Sequence, residues 1–281
     1  MLRLTHRLIT KDESESAASY RMSQEYRDFM FRKLVSNAAN LGNWDTLKFL
    51  SSSTYFQWCR FRPCTVRDIA YAGRLDILKW LAAYRSDVVL TSLDVTKAIK
   101  GGHFDVAKEL VATVAMRPEG SVEIWMEAAA AMGGFDLLKW FCSQYEGSIP
   151  ESALLHAVSN GHLTIVKWII DQNCIDVQSE LFRFWLGNAV SHGHLDTVKW
   201  IIRRYPTKCG FTVNTHWGAI EQGTVETMKL LWTANPEPYS PRMIEVAAAR
   251  GDLDIVKWLC EHKTNKPLGN LIDAAAEGRL P

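Results

Sequence analysis

The apolar positions of this chain follow a cycle that restarts at a glycine. Aligned on Gly42, Gly73, Gly102, Gly133, Gly161, Gly193, Gly223, Gly251 and Gly278, the sequence returns to the same pattern every 27 to 32 residues. Two residues after each glycine stands an apolar side chain, from Trp44 through Leu253 to Leu280. Three residues after the first eight glycines stands an acid (Asp45, Asp76, Asp105, Asp136, Asp196, Glu226 and Asp254), with Thr164 the exception. Six residues after them stands a lysine: Lys48, Lys79, Lys108, Lys139, Lys167, Lys199, Lys229 and Lys257. Four residues before each glycine is an alanine, replaced once by Ile69.

This pattern predicts two helices per cycle. Apolar residues at helical spacing precede the glycine, as in Ile244, Ala247 and Ala248, and alanine both favours helix and lets a neighbouring helix come close. Ser240-Pro241, Pro150, Ser121 and Thr212 mark the starts of such helices. Glycine ends them, because a left-handed residue is cheap only without a Cβ. The acid then opens a second helix, where it meets the positive end of the helix dipole and lies in reach of the lysine. An apolar stripe such as Leu253, Val256, Leu259 and Cys260 is expected to face the first helix.

A hairpin of two short helices cannot bury its own apolar face, so such units must stack. The fold class expected is all-α, a solenoid of about eight full helix–turn–helix repeats with a partial one at the C-terminal end. The array takes in residues 26–281. Tyr26 to Leu41 would form its first helix, with Phe29, Met30, Leu34 and Ala38 on one side. Residues 1–25, with Ser14, Ser16 and Ser19 among acids, read as a solvated tail. The sequence runs only three residues past Gly278, so either the last helix caps the array or the array continues in a longer protein.

The strings GHLTIVKWII (161–170), GHLDTVKWII (193–202) and GDLDIVKWLC (251–260) resemble the central segment of the ankyrin repeat. The tryptophan after the lysine resembles the divergent ankyrin arrays of oomycetes, amoebae and giant viruses. Two departures stand out: most units lack the T-P-L-H segment, and the periods fall below the ~33 residues usual for the family. The β-hairpin fingers are therefore expected to be short or absent. The resemblance also implies a function, the binding of another protein along a concave face lined by the two residues before each glycine. Carried over, these include Asn40, Leu41, Tyr71, Lys100, Met132, Asn160, His192, Gln222, Arg250 and Glu277. Unlike the positions on either side, they share no common chemistry.

Composition narrows this without changing it. Hydrophobic residues make up 47% and charged residues 22%, as in a folded soluble protein, and the formal net charge of +1 argues against a nucleic-acid or anionic-membrane partner. Lys or Asp interrupts every apolar run well short of a membrane span. Met1 to Thr10 has no continuous apolar stretch and is followed by Asp12-Glu13-Ser14-Glu15, unlike a secretory signal. The six cysteines form no C-x-x-C pair and no disulfide framework, which points to a reducing, cytoplasmic or nuclear setting. Cys142 and Cys260 share one repeat position and read as buried small hydrophobes.

Candidate chemistry yields to the repeat. His103, His162 and His194 all follow the repeat glycine, which suits a local hydrogen-bonding role better than metal ligation. Five of the eleven tryptophans (Trp80, Trp140, Trp168, Trp200 and Trp258) share one position, as packing residues would. Tyr55, Phe56 and Trp58 lie together in a connecting segment and are candidate interface anchors. No phosphate loop, nucleophile–base set or metal spacing is present, so no catalytic residue, cofactor or metal is expected. The chain reads as a monomeric adaptor unless its array ends self-associate; an architectural or self-assembling segment of a longer protein is the alternative.

Overall fold

Every repeat glycine that the structure describes ends a helix in the left-handed conformation. In this computed structural model Gly42, Gly73, Gly102, Gly133, Gly161, Gly193 and Gly251 have φ between 66° and 79°. The closing bonds are the same each time. Gly161 N–H donates to Val158 (3.2 Å) and His162 N–H to Ala157 (2.9 Å), the paired bonds that satisfy the last carbonyls of a helix. The alanine four residues before glycine is the acceptor of the longer-range bond, and Ala38, Ala98, Ala129, Ala157, Ala189, Ala219 and Ala247 are all buried.

The residues described are 24–52, 63–86, 88–114, 120–145, 148–172, 179–206, 213–222, 224–234 and 241–262. Among them are sixteen helices and no strand. The chain divides into two units, Met1–Leu90 and Thr91–Pro281. The first holds two pairs, α1 (Gln24–Asn40) with α2 (Trp44–Ser52) and α3 (Pro63–Tyr71) with α4 (Leu75–Tyr84). The second holds six. These are α5 (Ser92–Lys100) with α6 (Phe104–Thr113), α7 (Ser121–Ala131) with α8 (Phe135–Gln144), and α9 (Glu151–Ser159) with α10 (Leu163–Asp171). Then follow α11 (Ser179–Ser191) with α12 (Leu195–Arg204), α13 (Val213–Glu221) with α14 (Val225–Ala234), and α15 (Pro241–Ala249) with α16 (Leu253–Glu261). The α15 helix begins on Pro241, as its sequence predicts.

Stacking follows the expected logic. In the second unit α5, α7, α9, α11, α13 and α15 pack side by side in a row, each against the next, and α12, α14 and α16 do the same in a second layer. In the first unit α1 packs on α3. The stripe that makes this core lies eight, seven, four and three residues before the glycine. In α9 these are Ala153, Leu154, Ala157 and Val158, all buried. A layer of small alanines beside branched residues lets adjacent helices close on each other without voids.

The structure shifts several expected details. In α1 the buried face is Phe31, Val35, Ala38 and Ala39, while Phe29 is exposed, because the glycine sets the register and Phe29 falls off the stripe. In α16 Leu253 is 59% exposed and Ile255 takes the inward place. In two other pairs the residue two after glycine meets the next pair's tryptophan. Trp44 meets Trp80 edge-on at 5.9 Å and Phe135 meets Trp168 at 5.7 Å, but no further pair is described beyond α16. The lysine–tryptophan residues are thus seam packers, and Trp80, Trp140, Trp168 and Trp200 are only half-buried. Among the described residues the fully buried tryptophans are Trp125 and Trp185, on first helices. Cys142 and Cys260 are half-buried rather than buried. The acid and lysine of the second helix also find other company: Asp76 takes two bonds from Arg74 (3.2 and 3.0 Å), and Lys139 sits 4.1 Å over the Phe135 ring.

At several repeats the residue after the glycine has a role that its local sequence does not reveal. His162 Nε2 bonds the carbonyl of Ala131 at 3.0 Å, and His194 Nε2 bonds that of Ser159 at 2.8 Å. Each ring reaches back to the last helical carbonyl of the preceding first helix and lies under the preceding glycine. A Cβ on Gly133 would meet His162 Cε1 at 2.8 Å. In the first unit the Arg74 guanidinium occupies the same place under Gly42. Burial pushes the Asp76 carboxyl up, but the Arg74 bonds, the Ile77 N–H and the Arg74 charge outweigh it and hold the group below its ordinary range. Histidine at this position therefore ties neighbouring repeats together.

Candidate partner-binding surface

The glycine closure dictates which residues face outward. The two before glycine are the last helical residue and its cap, and they turn away from the buried stripe. In the first unit Asn40, Leu41 and Tyr71 are exposed; in the second, Lys100, Met132, Asn160, His192, Gln222 and Arg250 are. Glu277 and the loop aromatics Tyr55, Phe56 and Trp58 lie outside the described residues. Because consecutive first helices touch, the six positions of the second unit form a row along the ends of α5 to α15.

These side chains are not equally available. Asn160 Nδ2 donates to the His156 carbonyl at 2.8 Å, and His192 Nδ1 bonds the Asn188 carbonyl at the same distance. Arg250 Nε donates to Asp252 at 3.0 Å. Each bonds within its own repeat, and so is partly pre-ordered. Met132, 43% exposed, supplies apolar area without such a bond to give up.

A second row emerges at the other end of the same faces. Leu93, Ile124 and Phe184 stand nine residues before their glycines, one step off the buried stripe, and are about half exposed. The register alone carries the signal: an apolar residue just ahead of the first buried position has no place in the core. Reading any apolar side chain on an amphipathic helix as core hides it. Beside Phe184 on α11 lies Gly187, where an added Cβ would meet nothing within 4 Å. The other helical glycine, Gly218, has a packing reason, since a Cβ there would press on Ser191 Oγ at 2.8 Å. Gly187 thus leaves an open notch on the exposed face of α11. Gly187→Ala should stabilise the fold by about 0.5–1 kcal/mol, the cost of glycine inside a helix. A thermal melt showing a lowered midpoint would mean that the notch is needed by the fold itself.

Charge along these faces is mixed. Lys97, Lys100, Arg183, Arg242 and Arg250 alternate with Glu123, Glu151, Glu221 and Glu245, which differs from the uniform cationic track that phosphates require. A cavity of about 510 Å³ lies between the first turns of α6 and α8, beside Asp105, Lys108, Phe135 and Asp136. Among the described residues no group of three or more His, Cys, Asp or Glu side chains is placed to hold a metal ion. No helix among them is long and apolar enough to cross a membrane.

The repeated glycine-closed pair, its first helices stacked side by side, defines a helical-pair repeat protein. Residues 125–215, from α7 into α13, match the family described as ankyrin repeats in three copies. The same sequence register continues on either side of that segment, consistent with a divergent array of ankyrin repeats. Comparison with curated proteins gives no match. Ankyrin repeats generally mediate protein–protein interaction, and the family is typically non-enzymatic.

Proposed function

We propose that this chain is a non-catalytic binding scaffold that holds a partner protein across the exposed faces of its first helices. The observation that carries the reading is a contrast within one repeat. Positions that build the stack are nearly constant, whereas those that face outward on the same helices vary freely and include apolar groups. Met132, Ile124, Leu93 and Phe184 offer contact area that the fold does not use, set among the polar groups of Asn160, His192 and Gln222. Apolar anchors ringed by adaptable polar groups are the makeup of a protein interface.

The test compares two triple variants in affinity capture followed by measured binding. Ile124→Ala, Met132→Ala and Phe184→Ala together should weaken the captured partner by about 30-fold or more, the ~2 kcal/mol expected when hot-spot residues are truncated. Their melting midpoint should stay close to wild type, since all three are exposed. Lys139→Ala, Lys167→Ala and Lys229→Ala, on the second helices, should bind as wild type. The reverse pattern would place the partner on the second-helix face. Light scattering that rises with concentration, and no heterologous partner, would favour self-assembly.

A further inference from the structure

The seventh pair, α13 with α14, departs from the others at several inward positions at once. Seven residues before the glycine, every other pair has an aliphatic or methionine side chain in the core: Val35, Val66, Val95, Met126, Leu154, Leu186 and Ile244. The seventh has His216, 1% exposed. Four residues after the glycine, where four other pairs bury Ile77, Leu137, Ile165 and Ile255, α14 buries Thr227, as α12 buries Thr197. The hydroxyls of Thr227 and Thr224 are enclosed and have no hydrogen-bond partner. An enclosed hydroxyl without a bond gives up its hydration for nothing.

The ties around this pair are weaker as well. Its long-range helix-closing bond, Thr224 N–H to Ala219, is 3.4 Å, against 2.8–3.2 Å in the other seven described pairs. Where His162 and His194 reach back to the preceding repeat, the seventh pair has Thr224, whose hydroxyl bonds nothing. We infer that α13–α14 is a built-in weak joint, at which α13 to α16 open together as one low-stability segment while α5 to α12 stay folded. Neighbour contacts supply most of the stability of a stacked repeat, so a weak pair carries the pair beyond it. The joint divides the outward row between His192 and Gln222. A partner that spans the division would therefore hold the segment shut.

Hydrogen exchange by mass spectrometry on the full chain tests this. Amides of α13 to α16 should exchange with a common rate, at least 10-fold faster than those of α9 to α12, with the step falling between α12 and α13. His216→Leu with Thr227→Val, which removes the inward histidine and the unbonded hydroxyl, should slow exchange across α13 to α16 by 10-fold or more and leave α5 to α8 unchanged. A smooth gradient rising from α12 to α16, with no step, would be ordinary end fraying and would overturn the joint. So would a double variant that exchanges faster or fails to fold, since that would make the polar groups stabilising. This outcome is independent of which face a partner uses.

Discussion

Trp125→Ala should remove about 3–5 kcal/mol of folding stability, the range for emptying a fully buried aromatic site, and Trp185→Ala about as much. Both rings are buried on first helices. Trp125 also stacks on Phe141 at 5.9 Å and donates its Nε1–H to the Ser92 carbonyl of the preceding repeat at 3.0 Å. Truncation therefore opens a cavity and orphans a carbonyl between two pairs. Trp168→Ala should cost only about 1–2 kcal/mol, because that ring is half-buried and much of its area is already in water. Urea unfolding followed by helical circular dichroism would measure all three. An equal cost for Trp168 and Trp125 would mean that the second-helix tryptophans form the main core.

The second large effect separates two jobs of the repeat glycine. Gly102 (φ 79°) has nothing within 4 Å of an added Cβ, so Gly102→Ala should cost about 1–2 kcal/mol, the left-handed strain alone. Gly133 (φ 74°) carries the same strain and also faces the His162 ring at 2.8 Å. Gly133→Ala must push that ring away and break its bond to Ala131, so about 2–4 kcal/mol is expected. His162→Ala in the Gly133→Ala background should recover about 1 kcal/mol, the coupling of two residues in contact. Equal costs at Gly102 and Gly133, with no coupling, would show that the ring adapts freely and ties nothing.

Much of this was legible without coordinates. The glycine register, the helix on each side of it and the stacking of the pairs follow from local chemistry. Glycine is the residue that closes a helix in the left-handed conformation, and an apolar stripe on a nine-residue helix must be covered by something. The outward position of Lys100, Met132, Asn160, His192, Gln222 and Arg250 follows from the same register, since a residue beside the closure cannot also lie on the stripe. The match of residues 125–215 to ankyrin repeats falls where these signals are most regular.

What the pattern left open concerns contacts between repeats. Sequence spacing fixes which face of a helix a side chain occupies, but not what the next repeat places against that face. So the lysine–tryptophan rings, identical in sequence, differ in burial: Trp258 is buried between Trp232 and His262, while Trp168 is half-buried against Phe135. The histidine after glycine looks local, yet its ring bonds a carbonyl about thirty residues earlier. Leu93, Ile124 and Phe184 look like core until the neighbouring helices leave them uncovered. The sequence by itself determined the unit and its period, because those depend on backbone conformation and helical spacing within one hairpin. Only the tertiary structure decided the seams, the uncovered apolar row and the polar seventh pair, because burial in a stacked array is set by residues that arrive one repeat away.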